Sequence, residues 1–361
     1  MDSLGTFDSK STQNCWEEIN SLANSATFLQ TSWRSNSISS QALDSECDEN
    51  KELAFSEITF RDITSLFRPD DILVINDTRV MPARIKGHTI LQNGTKKDVE
   101  CLFLRNTSPD VWEIMCFPGE RLKTWRTIIL ENWMILEIVG ETYAGRLVKV
   151  PVPHHEWLEV LQKYGEVPLP PYITEHLANS ELYQTVYAEN LGSTAAPTAG
   201  RHFTPELLER IKAMWVKIAH VTLHIGPGTF KPIYEDDVTQ YQIHSEFVTI
   251  PRETIELLNN RKGRVIAVGT TSMRSLESYV AGKLQEQVYG VSGDTNLYIT
   301  PGYEFQLVDA LITNFHAPRT SLLVLVAAFM GLENMQAAYQ YALTNNFRFL
   351  SFGDAMWVEK K

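Results

Sequence analysis

Between Ser193 and Thr229 the chain permits few folds. Ser193-Thr194-Ala195-Ala196-Pro197-Thr198-Ala199-Gly200 is too broken by glycine and proline for a helix, and too poor in bulky side chains for an ordinary core strand. Arg201-His202-Phe203 leads to a helix start, with Thr204 as N-cap, Pro205 at the first helical position and Glu206 complementing the helix dipole. Beyond that helix, Ala219 to Ile225 alternates as a strand should and ends in Gly226-Pro227-Gly228-Thr229. Two glycine-bearing loops, each beside a histidine (His202, His224), thus flank one helix. Such a unit brings backbone N–H donors and titratable side chains to a polar ligand.

Other apolar runs deliver polar residues in the same way. Ile72-Leu73-Val74-Ile75 reads as a buried strand ending in Asn76-Asp77-Thr78-Arg79, the usual place for a site in an α/β sheet. Those residues equally suit an Asx-turn and a surface ion pair. Arg264 to Val268 predicts a second buried strand, turning through Gly269-Thr270-Thr271-Ser272 into a helix over Met273 to Val280. That corner suits an anion or a hydroxyl, but its glycines lack the spacing of a nucleotide-phosphate loop. Ala310 to Thr313 is a third strand, ending in Asn314-Phe315-His316, and Tyr298 to Phe305 also reads as a strand. Within Gln240 to Glu246, His244 and Glu246 would share one strand face. Arg274 and Glu277 share a helix face and suit a surface ion pair.

From Met81 to Pro153 six short strand-like runs alternate with turn signals, predicting a small antiparallel barrel or sandwich. The expected architecture is an α/β (α+β) main domain with a mixed sheet and flanking helices, formed discontinuously by residues 1–80 and 154–361. An inserted all-β domain, 81–153, interrupts it. His154 to Tyr164 should be a helix leading back, and Gly165 to Ile173 a stiff, extended, proline-rich connection. Residues 1–52 carry little pattern beyond a helical spacing at Trp16, Ile19 and Leu22, with a loop expected at Ser39 to Lys51. The apolar run Leu322 to Leu332, after a Thr320 N-cap, is too short to cross a bilayer and predicts a buried helix. With no signal-peptide pattern, a cytoplasmic location is expected. The four cysteines form no C-x-x-C pair, so free thiols and no metal are expected. A net charge of −12 argues against a protein that coats nucleic acid non-specifically.

Taken in order, Asn76-Asp77-Thr78-Arg79-Val80-Met81-Pro82-Ala83-Arg84, Tyr183 to Ala188, Ala195 to Gly200, His202-Phe203-Thr204 and Val221 to Gly226 resemble the S-adenosylmethionine:tRNA ribosyltransferase-isomerases of queuosine biosynthesis. Gly228-Thr229-Phe230, His244-Ser245-Glu246, Val268 to Ser272, Thr313 to His316 and Gly353-Asp354-Ala355-Met356 continue the resemblance, over roughly residues 55 to 358. Two features depart from it. The family's N-terminal segment is not recognisable in residues 1–52, and Arg201 stands where an apolar residue is more usual.

The resemblance implies transfer of the ribosyl group of S-adenosylmethionine to the aminomethyl group of a 7-deazaguanine at the tRNA wobble position. Epoxyqueuosine forms, with adenine and methionine released. It further implies S-adenosylmethionine as co-substrate, no metal, no membrane, and a monomer. Such chemistry asks for a base beside the sulfonium, an acid for departing adenine, partners for ribose hydroxyls and a pocket for a flipped base. His202, His224 and His316 are the proton-transfer candidates, with Asp77 and Glu246 as further catalytic candidates. Asp77, Glu246 and Asp354 are candidates to hold ribose hydroxyls or the sulfonium. Thr270, Thr271, Gly226 and Gly228 are candidates for the methionine carboxylate; Arg79, Arg84, Arg274 and Arg319 for tRNA phosphate. Asn76, Thr198, Gly200, Thr229, His244, Gly269 and Asn314 complete the expected substrate-binding set. Two alternatives stand beside this reading, an ordinary methyltransferase and a tRNA-binding homologue impaired in catalysis. The methyltransferase would want a glycine-rich loop after a first strand, and none is evident.

Overall fold

The computed structural model describes residues 27–35 and 51–360, apart from 92, 120, 121, 125, 143, 144 and 174–178. The helical spacing at Trp16 to Leu22 and most of the loop expected at Ser39 to Lys51 lie outside the described residues. In chain order come β1 (Thr27–Ser35), β2 (Lys51–Thr59), β3 (Ile72–Asn76) and β4 (Thr78–Val80). Six strands follow: β5 (Arg84–Ile90), β6 (Lys96–Ser108), β7 (Val111–Phe117), β8 (Thr127–Leu130), β9 (Ile135–Glu141) and β10 (Arg146–Lys149). They close into an antiparallel barrel, so no strand of the set is left with an unpaired edge. Trp112 and Phe103 fill it, and Trp157 reaches in from α1 (His154–Tyr164).

The remaining elements are β11 (Asn190–Ser193), α2 (Pro205–Ala213), β12 (Lys217–Leu223), β13 (Glu246–Pro251), α3 (Arg252–Asn259), β14 (Val265–Val268), α4 (Gly269–Val280), β15 (Gln285–Gln287), β16 (Gly290–Thr295), β17 (Ala310–Asn314), α5 (Ser321–Met330), α6 (Leu332–Thr344) and β18 (Ala355–Glu359). A ten-stranded mixed sheet runs in the order β15-β16-β13-β12-β3-β14-β17-β18-β1-β2. Its centre, β12-β3-β14-β17, is parallel, and antiparallel pairs flank it. Every residue of β3, β14 and β17 is buried, because both faces of the centre are covered. Alternate residues serve opposite cores: Ile72 and Val74 pack with Val221 and Leu311, while Leu73 and Ile75 pack with Phe28, Phe203 and Trp357.

The structure departs from the sequence reading in several places. Tyr298 to Phe305 forms no strand; nearby, the Gln306, Leu307 and Val308 amides donate to the Glu277 carboxylate at 3.0–3.1 Å. Glu277 is therefore a buried anchor rather than half of a surface ion pair. His244 precedes β13 instead of sharing a strand face with Glu246. The helix expected from Met273 already begins at Gly269, whose φ of +83° lets the chain turn sharply out of β14. Thr27–Ser35, in the least readable stretch, is an interior strand, parallel to β18 and antiparallel to β2.

Candidate active site

A cleft of about 150 Å³ opens where β14 and β17 end. The turn at Ala196–Ala199, the α4 start at Gly269–Thr271, Thr229, Asn314 and His316 line it. Two helices begin at its wall. No side chain caps the first turn of α4, whereas α5 is capped by Thr320, whose hydroxyl accepts from the Leu323 amide at 3.3 Å. Gly269, Thr270 and Thr271 from one helix start and Thr320 and Leu322 from the other all face the cleft, so both positive dipole ends lie beside it.

At the end of β17, Asn314 binds the floor together. Its Oδ1 accepts from the Thr198 hydroxyl at 2.9 Å, and its Nδ2 lies 3.3 Å from His202 Nε2. His202 itself is buried and stacked on Phe60, with ring centroids 4.9 Å apart. Burial first, then the neighbouring Arg201 charge, pushes its pKa down to about 3. The expected proton-transfer role does not fit this position: His202 does not line the cleft but supports Asn314 from behind. His316 does line it, with Nε2 2.8 Å from the Thr313 hydroxyl and its amide donating to Tyr339 Oη at 2.9 Å. Burial lowers its pKa to about 4, so the imidazole is neutral at physiological pH.

Glu246 sits beside the cleft as a saturated hub. Oε1 accepts from the Gly226 amide at 2.9 Å and the Thr229 hydroxyl at 3.1 Å, and lies 3.1 Å from His244 Nε2. Arg274 Nη1 donates to Oε2 at 2.5 Å. Burial would raise the Glu246 pKa, but the Arg274 charge and the hydrogen bonds from His244 and Gly226 outweigh it and hold it at about 2. At neutral pH the carboxylate is thus ionised, with both oxygens already engaged. Nε of Arg274 donates to the Leu297 carbonyl and Nη2 to those of His244 and Thr295, so the expected phosphate contact does not fit this buried guanidinium. With its amide on Glu246, Gly226 is likewise occupied, and Gly228 leaves room for the His244 ring: a Cβ there would meet Nδ1 at 2.4 Å.

Three further candidates hold the fold. Asn76 Nδ2 donates to the Leu223 carbonyl and the Thr271 hydroxyl, both at 3.1 Å, while Oδ1 accepts from the Thr78 and Leu223 amides. It thereby ties the ends of β3 and β12 to the start of α4. Asp354 accepts from the Thr27 amide at 3.0 Å and from Arg348 Nη2 at 2.8 Å, fastening β1. Gly200 leaves space for the Tyr187 hydroxyl, which a Cβ would meet at 1.9 Å.

His224 and Asp77 form a separate cluster away from the cleft lining. Nδ1 of His224 is 2.9 Å from the Thr78 hydroxyl, its ring lies against Gly192, and burial lowers its pKa. Asp77 accepts from Thr222 Oγ1 at 2.6 Å and lies 3.5 Å from His220, a histidine the sequence reading passed over. Burial would raise the Asp77 pKa; hydrogen bonds from His220, Thr222 and Asn190 bring it below the usual value. Period-2 alternation along β12 puts His220 and Thr222 on one face and was the available signal. Among the expected phosphate contacts, Arg79 pairs with Glu181 and Arg84 with Glu100 at 3.3 Å, and Arg319 turns the chain before α5 with φ of +57°. Arg201 faces inward. Nε donates to the Leu182 carbonyl at 3.0 Å, Nη1 to the Ser351 carbonyl at 2.8 Å, and the guanidinium lies 3.9 Å from the Phe352 ring centre. Among the described residues, no group of three or more His, Cys, Asp or Glu is placed to hold a metal ion.

The family model described as queuosine biosynthesis protein matches residues 43–358. An S-adenosylmethionine:tRNA ribosyltransferase-isomerase from Desulfitobacterium hafniense is 44% identical over 308 residues, spanning 83% of this chain and 87% of that protein. The crystal structure of an S-adenosylmethionine tRNA ribosyltransferase from Thermotoga maritima is 31% identical, with 84% of this chain and 88% of that chain covered and a TM-score of 0.44.

Proposed function

The chain belongs to the queuosine biosynthesis protein family, and from that premise we propose that it is an S-adenosylmethionine:tRNA ribosyltransferase-isomerase. It takes the ribosyl group of S-adenosylmethionine, joins it to the aminomethyl group of the wobble 7-deazaguanine, and isomerises it to the epoxyqueuosine side chain. Adenine and methionine leave. One observation carries the reading: two helix starts, a neutral imidazole and the hydrogen-bonding groups of Thr198 and Asn314 converge on one cleft. The methionine carboxylate suits the α4 start at Gly269–Thr271, where uncapped amides and the dipole favour an anion. The Thr198 hydroxyl, which donates to Asn314 and keeps its oxygen lone pairs, suits a ribose hydroxyl, with Asn314 holding it in place. His316, already deprotonated at neutral pH, is the residue placed to accept the proton beside the sulfonium. In this reading residues 81–153 are an inserted domain, and the enzyme acts as a cytoplasmic monomer.

The test is to incubate the chain with S-adenosylmethionine and tRNA carrying the aminomethyl-deazaguanine. Adenine release, coupled to a mass gain on the wobble nucleoside, is expected. S-adenosylhomocysteine would indicate a methyltransferase instead, and tRNA binding without adenine an impaired homologue. His316→Ala should lower kcat by at least about tenfold. Because the base must be unprotonated, kcat/KM should fall on the acid side as pH drops through about 4, not through the ordinary histidine value of 6.5. Unchanged turnover in His316→Ala would remove the residue from the mechanism.

A further inference from the structure

The barrel holds two thiols to which the cleft chemistry gives no task. In β6 and β7 the inward-facing residues alternate, Val99, Cys101 and Phe103 on one strand and Trp112, Ile114 and Cys116 on the other, all buried. The antiparallel register sets Cys101 directly opposite Cys116. Two neighbouring contacts fix the kind of opposition. The Phe103 amide donates to the Ala83 carbonyl at 2.9 Å, so Phe103, and Cys101 two residues before it, turn their backbone groups towards the β5 side and away from β7. On the other strand the Ile114 carbonyl points at Gly145, beside β10, where a Cβ would meet its oxygen at 2.1 Å. Ile114, and Cys116 two residues on, therefore turn their backbone groups away from β6. Cys101 and Cys116 form a non-hydrogen-bonded pair, the kind in which Cα atoms approach to about 4.5 Å and side chains lie closest. That separation falls within the range of about 4.4–6.8 Å that disulfides span.

The two thiols are unequal. Cys101 keeps none of its surface exposed, whereas Cys116, last but one in β7, keeps 8%, so a small oxidant reaches it first. The Cys101 thiol donates to the Cys116 sulfur. That hydrogen bond, and then burial, push the Cys101 pKa up; the same bond, with the charge of Arg146, lowers that of Cys116 against its own burial. A favoured thiolate beside a resolving thiol is the arrangement that reacts reversibly with peroxides. We propose that Cys101 and Cys116 are a redox-active pair, closed by a peroxide into a disulfide that staples β6 to β7. The Cys116 sulfur attacks one peroxide oxygen, the O–O bond breaks, and the departing oxygen takes up the proton that Cys116 has given up and leaves as water. The Cys101 sulfur then attacks the sulfenic acid on Cys116: the S–S bond forms, the S–O bond breaks, and hydroxide leaves with the Cys101 proton as a second water. Two thiols are oxidised as one peroxide is reduced. The site does not depend on the transfer reaction proposed above.

The full-length chain is treated with hydrogen peroxide, its remaining thiols are alkylated in denaturant, and its tryptic peptides are weighed. Cleavage after Arg105 separates the two cysteines, into peptides 98–105 and 106–121. The expected product is these two peptides joined, lighter than their sum by two hydrogens and absent after dithiothreitol. Separate alkylation of both cysteines in the peroxide-treated chain would overturn the proposal, and this arm needs no variant. Cys101→Ser should strand oxidation at Cys116, which then proceeds to sulfinic acid, located by fragment ions on Cys116 rather than on Met115. Cys116→Ser should leave Cys101 reduced. The reverse pattern would overturn the assigned order of attack. Because the bridge closes a loop of about 15 residues, the oxidised wild type should melt roughly 5 °C above the reduced chain, and dithiothreitol should return it. An oxidised chain that melts below the reduced one would overturn the staple.

Discussion

Glu246 shows how a residue's chemistry is decided by partners distant in sequence. His244-Ser245-Glu246 reads locally as a base beside a carboxylate, yet the charge that fixes its behaviour comes from Arg274, 28 positions away. Ionised and engaged at both oxygens, the carboxylate fixes the Gly226–Thr229 loop against the cleft. Glu246→Gln would keep the shape but leave the buried Arg274 guanidinium uncompensated, at an expected cost of about 3–5 kcal/mol at neutral pH. The folded-state pKa lies below the unfolded value of 4.5, so the ionised carboxylate stabilises above about 4.5 and loses that contribution as pH falls through about 2. Urea denaturation across that window should therefore show the gap between wild type and variant closing on acidification. A gap independent of pH would mean that charge is not what the variant loses.

At the scale of elements, the legible features were those whose cause is local. Thr204 and Thr320 cap the helices they precede, accepting from the amides three residues on at 3.2 and 3.3 Å, and their sequences announce it. The apolar strands β3, β14 and β17 and the six strands of the barrel were equally readable from pattern alone. Much of the cleft could be picked out too, because Thr198, Gly269 to Thr271, Asn314 and His316 stand at the tips of such elements. Local pattern does not separate a tip residue that meets ligand from one that ties elements together, as Asn76 does. Nor does it show which ring a glycine accommodates. Gly200 belongs to the loop recognised first, but only the fold places Tyr187 Oη where its Cβ would be. Gly200→Ala should destabilise by about 1–3 kcal/mol, an overpacking cost, and disturb the turn bearing Thr198. Adding Tyr187→Phe removes the 1.9 Å contact but leaves ring carbon Cζ at 2.9 Å, so thermal denaturation should show a partial recovery of the midpoint. Full additivity of the two changes would place the damage elsewhere.

For the molecule as a whole, the decisive element is the one the sequence concealed. β1 could not be recognised because its partner β18 lies more than 300 residues away, as in the bond from Thr31 Oγ1 to the Trp357 carbonyl at 2.9 Å. Between β18 and β2 it joins both cores: Leu29 packs on one face of the sheet and Phe28 on the other, each fully buried. Thr27 also occupies Asp354, which in turn holds Arg348 at the end of the loop carrying Leu350 and Ser351 to the cleft rim. A chain lacking residues 1–35 would forfeit about 1.5–3 kcal/mol for each of those two apolar side chains, besides the β1 ladders, against a total stability of about 5–15 kcal/mol. It would also leave β18 as an unpaired edge beside a detached β2, a template for association between chains. The expected outcome is loss of the soluble wild-type species on size-exclusion chromatography and loss of a cooperative thermal transition by circular dichroism. A soluble truncated chain with the wild-type midpoint would show that neither core needs β1, and that the cleft rim is held without it.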